Sequence, residues 1–99
     1  MQIVAILRVS ANATAEEQAK HRRTEAQAVW GLLASGVLRS IHFHDGPGAL
    51  LLLETPSRKD AERQIAELPM VRANLVDAEL LSLKPFTGLE DLFDKKAAP

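Results

Sequence analysis

The sequence predicts an α+β domain: a four-stranded antiparallel sheet with two helices on one face. Three observations predict it. Short runs rich in Ile, Val and Leu alternate with capped, helix-periodic segments in the order βαββαβ. The two middle runs are joined by the turn-forming Asp45-Gly46-Pro47-Gly48. A chain of 99 residues, 46% of them hydrophobic, builds one core and has no room for a second.

Each element follows from its residues. Ile3 to Val9 is short and β-branched and stops at the polar Ser10-Ala11-Asn12, the pattern of a strand buried on both faces. Thr14-Ala15-Glu16-Glu17 then has the form of a capping box, with the Thr hydroxyl placed for the third helical N–H and two carboxylates at the positive end of the helix dipole. Ala19, Ala26, Val29, Trp30 and Leu33 fall on one side of that helix. Gly36 supplies a left-handed stop after Ser35, giving roughly twenty residues. Val37 to His44 and Ala49 to Glu54 form a hairpin across the glycine-bearing turn. Ser57 caps a second helix, with Asp60 at its third position and Ala61, Ile65 and Leu68 along one face; Pro69 limits it. Leu75 to Leu83 is the last strand.

Composition excludes several functions. Twelve Lys and Arg nearly cancel thirteen Asp and Glu, for a net charge of −1, so a nucleic-acid partner is not expected. The absence of Cys removes disulfides, thiolate nucleophiles and zinc knuckles, and the absence of Tyr removes a phenolic acid. The first apolar run is interrupted at Arg8 and has neither a basic flank nor a cleavage site, so no membrane span or leader is expected and the chain reads as cytoplasmic.

Two helices cover one face of such a sheet, and right-handed crossovers give the split βαβ, ferredoxin-like arrangement. The other face carries Val4, Ile6, Leu50 or Leu51, Leu75 and Leu81, an apolar patch larger than monomers usually leave wet. A second copy packed on it would make a dimeric α/β barrel enclosing a pocket for a small-molecule ligand. The domain then spans 1–93, and 94–99 is a flexible tail.

Sorting strand residues by face locates candidate chemistry. Val4, Ile6 and Arg8 oppose Ile3, Ala5, Leu7 and Val9; the fully apolar set belongs under the helices, so Arg8 faces the barrel. Ile41 and Phe43 suit the helix-side core, which sends Ser40, His42 and His44 to the barrel side, where Asp77 and Glu79 of the last strand join them. Glu54 lies with the histidines if His42 aligns with Leu50, and on the other side in the alternative register. The set suits proton transfer on a small organic acid or lactone. His42 or His44 is the base, Asp77 or Glu79 fixes its tautomer, and Arg8 binds negative charge. Glu54 and Trp30 are further substrate contacts, Trp30 either as core packing or as a wall for a planar ligand.

Residues 15–83 resemble the muconolactone isomerases and their small relatives in the dimeric α/β-barrel superfamily, which includes the YCII-like proteins. The likeness is carried by Ser35-Gly36 ending the first helix, the strand and glycine-bearing turn after it, the charged second helix running into Glu67-Leu68-Pro69-Met70, and the Asp77-Ala78-Glu79-Leu80 strand. The resemblance implies a cofactor-free isomerase that moves a proton on a small lactone in a pocket of an oligomer. The YCII-like relatives imply a His and Asp pair, a part that His42 or His44 with Asp77 takes by position.

Blander readings stand beside these. The two imidazoles hydrogen-bond within the sheet or face water; Arg8 and Asp77 form a surface ion pair; Arg22-Arg23 is a solvated patch; and His21 is solvated, paired with Glu25 one turn on. His42-Phe43-His44 has the spacing of two metal ligands on a strand, with Asp45 or Glu54 to complete a site, but no bound metal is expected. A non-catalytic ligand-binding or assembly protein is the alternative to an enzyme. Phe86, Leu89, Leu92 and Phe93 are too apolar for a free end; they pack on their own subunit or reach across to close the partner's pocket.

Overall fold

A computed structural model describes residues 1–93; the expected tail, 94–99, lies outside them. It places β1 (Gln2–Val9) inside a four-stranded antiparallel sheet ordered β2-β3-β1-β4, where β2 is Leu38–His44, β3 Gly48–Glu54 and β4 Val76–Ser82. β1 thus takes an inner position, paired on both edges. α1 (Ala15–Ser35) and α2 (Arg58–Ala66) lie on one face, and a four-residue α3 (Pro69–Arg72), started by its proline, follows α2. The expected pair of helices is therefore joined by α3 and by a 3-10 turn at Thr87–Leu92.

The capping logic holds in detail. The Thr14 hydroxyl accepts from the Glu17 N–H at 3.1 Å, and Gly36 closes α1 at φ 83°, a left-handed conformation that costs glycine little. Ser57 accepts from the Asp60 N–H at 3.2 Å. The core lies between the helices and one sheet face, where Ile3, Leu51, Leu53, Leu38, Ile65 and Leu68 are sealed from solvent. Each such side chain contributes about 1.5–3 kcal/mol by leaving water.

Register settles the faces. Val4 opposes Leu52 and Leu81, Ile6 opposes Leu50 and Glu79, and His42 opposes Leu50, so Glu54 shares the helix-free face with His42. Leu51 belongs to the core and Leu50 to that open face; Leu75, expected there, is buried. β1 buries one face fully and the other only in part.

Three expectations about apolar residues change. Trp30 is 69% exposed, and Ala19 and Ala26 are exposed as well. The inward stripe of α1 instead runs Gln18, Glu25, Ala28, Val29, Leu32, Leu33, about one residue out of phase with the expected one. Phe43 faces the helix side near the end of the edge strand β2 but is 94% exposed. Beyond β4, Phe86, Leu89, Leu92 and Phe93 are 60–84% exposed, so they are not packed into the core of their own chain. Among the described residues no helix is long and apolar enough to cross a membrane.

Gly48 sets how closely the hairpin approaches β1. A Cβ there would lie 1.8 Å from the Leu7 carbonyl oxygen and 2.7 Å from Nε2 of His44, so the position is closed to any side chain. Gly48→Ala is expected to destabilise the chain by about 1–3 kcal/mol, the usual cost of overpacking, as read by urea denaturation.

Candidate functional site

The main cavity lies between the amino-terminal half of α1 and the sheet, on the helix side, with a volume of about 640 Å³. Its floor is apolar, formed by Leu7, Val9, Ala49 and Leu51, and Phe43 stands at its rim. Its roof is the part of the α1 stripe that is polar: Gln18, Arg22 and Glu25, one helical turn apart, above Val29. Met70 of α3 closes the inner end.

Glu25 is the unusual group. It is half-buried, and burial pushes its carboxyl pKa above the ordinary 4.5, against the opposing effects of the Met70 N–H and the charge of His21 one turn earlier. Its Oε1 accepts the Met70 N–H at 3.1 Å, satisfying a donor at the start of α3 that the helix itself leaves unpaired. Arg22 lies one turn before it, yet the two form no ion pair. The site thus holds an unneutralised acid and an uncommitted guanidinium beside apolar walls.

The residues expected to carry chemistry are distributed otherwise. By strand parity His42, His44, Asp77 and Glu79 all belong to the open face, but the ring of His44 lines the helix-side cavity. The histidines and these two carboxylates stand on opposite edge strands, however, three inter-strand spacings or ~14 Å apart, so neither Asp77 nor Glu79 of the same chain reaches either imidazole. The ring of His44 lies over Gly48 and is tied at both nitrogens: Nδ1 accepts from the Gly46 N–H at 3.0 Å, and Nε2–H donates to the Leu7 carbonyl at 2.8 Å. Backbone groups, and not Asp77 or Glu79, therefore set its tautomer. His42 is exposed.

Arg8, directly opposite Asp77, reaches diagonally to Glu79 instead, Nη1 to Oε1 at 2.9 Å, while the Ser10 hydroxyl donates to Asp77 at 3.4 Å. Both partners of that ion pair are half-exposed, so it adds at most about 1 kcal/mol. Glu54 sits four residues along β3 from Leu50, ~13 Å from the histidine rungs, with Oε2 3.4 Å from the terminal amine of Met1. Trp30 lines no part of the cavity. Among the described residues no three His, Asp or Glu side chains gather as metal ligands would.

Sequence reasoning missed Gln18, Arg22 and Glu25. The signal was present: these positions continue the i, i+3, i+4, i+7 line of Val29 and Leu32 toward the amino terminus, which turns Gln18 and Glu25 inward and sets Arg22 at the mouth of the cleft, where it stays exposed.

The elements define a ferredoxin-like α+β fold with a ligand-sized cleft between its first helix and the sheet. No protein-family model matches the chain, and neither does any curated protein sequence. Among solved structures it is similar to 5-chloro-2-hydroxyhydroquinone dehydrochlorinase from Burkholderia phenoliruptrix, determined with 2,5-dihydroxybenzoquinone bound: TM-score 0.72 at 12% identity, over 89% of this chain and 98% of that one. It is likewise similar to muconolactone isomerase, TM-score 0.71 at 13% identity, over 88% of this chain and 92% of that one. At these identities the likeness is one of fold, and at that level the resemblance expected from the sequence is found.

The raised pKa of Glu25 has a signed consequence. The folded chain holds this proton to a higher pH than the unfolded chain, so stability is fully present below the unfolded value and falls as pH rises through the folded one. Glu25→Gln cannot ionise and keeps an oxygen for the Met70 N–H. Urea denaturation from about pH 4 to about pH 7 is expected to show the variant gaining on the native chain as pH rises.

Proposed function

We propose that the chain is an enzyme that moves a proton on a small organic acid or lactone held in the cleft beneath α1. The observation that carries this is the half-buried Glu25 facing an apolar cavity beside Arg22. A carboxylate kept from full solvation is a stronger base than one in water. Positioned proton transfer of this kind contributes about 10²–10⁴-fold to a rate. In this reading Arg22 binds the negative charge of the substrate or of its enolate, Gln18 hydrogen-bonds a carbonyl, and Glu25 takes a proton from one carbon and returns it to another. The reaction needs no net acid or base. The fold neighbours, whose names describe an isomerase and a dehydrochlorinase, support a small unsaturated or cyclic substrate.

In this reading Glu25 takes the place of His42 or His44 as base: both ring nitrogens of His44, which also lines the cavity, are bonded to backbone groups, and His42 is exposed and lines no part of the cleft. A pocket that only binds, without turnover, is the second reading; the same apolar walls favour it.

Incubating the protein in D₂O with a panel of small lactones, enones and 2-oxo acids separates the two. Deuterium incorporation at carbon, read by proton NMR, is expected for at least one compound. It should fall at least ~100-fold in Glu25→Gln with binding retained, while Arg22→Ala weakens binding about tenfold or more. Binding without exchange would leave a ligand-binding protein. Exchange that persists unchanged in Glu25→Gln would remove Glu25 as the base.

The apolar segment 86–93 is assigned in the same proposal to a partner subunit, where its Phe side chains cover the open rim at Phe43. Its side chains lie outside the core of their own chain, and an apolar rim of this kind needs a cover. A chain ending at Leu83 is expected to lose most ligand affinity by calorimetry while its circular dichroism is unchanged.

A further inference from the structure

The turn between β2 and β3 forms one wall of the cleft: Pro47 and Gly48 line the cavity, and so does the ring of His44. That ring holds the wall in place. Nδ1 accepts the Gly46 N–H at 3.0 Å and Nε2–H donates to the Leu7 carbonyl at 2.8 Å, so one side chain ties the turn to β1. The Val9 N–H supports the same wall by donating to the Pro47 carbonyl at 3.1 Å. A Cβ at Gly46 would lie 2.8 Å from Nδ1, and one at Gly48 2.7 Å from Nε2, so the ring rests against both glycines with little room to turn.

We propose that His44 is a positioning residue of the cleft that responds to pH: neutral, it holds the 45–48 turn closed on a ligand; protonated, it releases the turn and weakens binding. This rests on the reading of the cleft as a ligand site, but not on Glu25 as the base. The sign follows from the bonding. Only an imidazole without a proton on Nδ1 accepts the Gly46 N–H; a proton there sets donor against donor, while the bond from Nε2–H to Leu7 survives. The ring stays with β1, and Gly46 is the partner that moves.

The charged groups around the ring do not alter this sign. They are Asp45 beside it in the turn, His42 two residues back on β2, Arg8 on the same rung of β1 but paired to Glu79, and Arg22 and Glu25 across the cleft on α1; β3 contributes Gly48 and no charge. Linkage makes the effect reciprocal: a ligand that needs the closed wall binds the neutral form better and lowers the proton occupancy of the ring.

The test uses N-phenyl-1-naphthylamine, an apolar probe that stays uncharged over the range in which histidine changes charge, about pH 5 to about pH 8. Its Kd is read from the amide shifts of Val29, Ala49 and Leu51, which line the cleft, so only probe bound there is counted. Affinity is expected to fall about three- to tenfold from about pH 8 to about pH 5, the effect of one lost hydrogen bond. His44→Gln, which does not titrate, is expected to bind equally at both pH values, and His42→Gln to keep the fall. In the ligand-free native chain the Gly46 amide shift is expected to follow protonation of the His44 ring, which reads the contact even where a variant does not fold. Native affinity that is unmeasurable at about pH 8 or equal at both ends, a fall that persists in His44→Gln or is lost in His42→Gln, or a Gly46 amide that does not follow the ring would overturn the proposal. No turnover is measured, so these outcomes are separate from the fate of Glu25 as base.

Discussion

The cleft depends on a change of character halfway along α1. Toward its carboxyl end the inward stripe is Val29, Leu32 and Leu33, which pack on the core. Toward its amino end the same line carries Gln18, Arg22 and Glu25, which cannot descend onto Leu7, Val9 and Leu51 without burying a carboxylate and a guanidinium unpaired. That burial costs several kcal/mol per ion, more than the few apolar contacts it would add. The helix is held down at one end and held off at the other, and the gap is the cavity. Glu25 makes the compromise tolerable by accepting the Met70 N–H, so that one hydrogen bond satisfies the acid and the start of α3 together.

The two faces of the sheet consequently have different work. The helix face contains both the sealed core and the cleft. The open face is uncovered by any helix among the described residues, and its ion pairs, Arg8 with Glu79 and the Met1 amine with Glu54, are about half-exposed. His44 links the faces: its ring crosses the space that Gly48 leaves empty and grips the Leu7 carbonyl, so the hairpin end is locked to β1 by a side chain that belongs by parity to the open face.

Much of the fold was legible because it rests on local chemistry. Thr14, Gly36 and Ser57 cap as their types require, and strict alternation assigns the residues of β1 and β4 to their faces, Leu75 excepted, which precedes β4 and is buried. Glu54 turned on a single register parity, which the His42–Leu50 alignment resolved. Other features rest on contacts between distant residues. The Glu25 bond to Met70 joins positions 45 residues apart, and nothing near either one announces it. The phase of α1 is hard to read because Trp30 looks like core, while Gln18 and Glu25 look solvated although both turn inward. A helix that borders a cleft breaks the rule that its polar side faces water. Phe43 was misplaced for a related reason: strand parity gives the face but not the burial there.

The same reasoning bears on why the acid, and not an imidazole, is the group to watch. A histidine is suited to proton transfer only if one nitrogen is free to accept and the other is held. His44 has both nitrogens held by backbone, and His42 has neither held within its own chain. Glu25 has one oxygen anchored and the other unassigned, in surroundings that disfavour its charge. Arg22, one turn away, would relieve that charge if the two paired. On the function proposed for this cleft, their separation leaves the carboxylate to take a proton and the guanidinium to meet a negative charge.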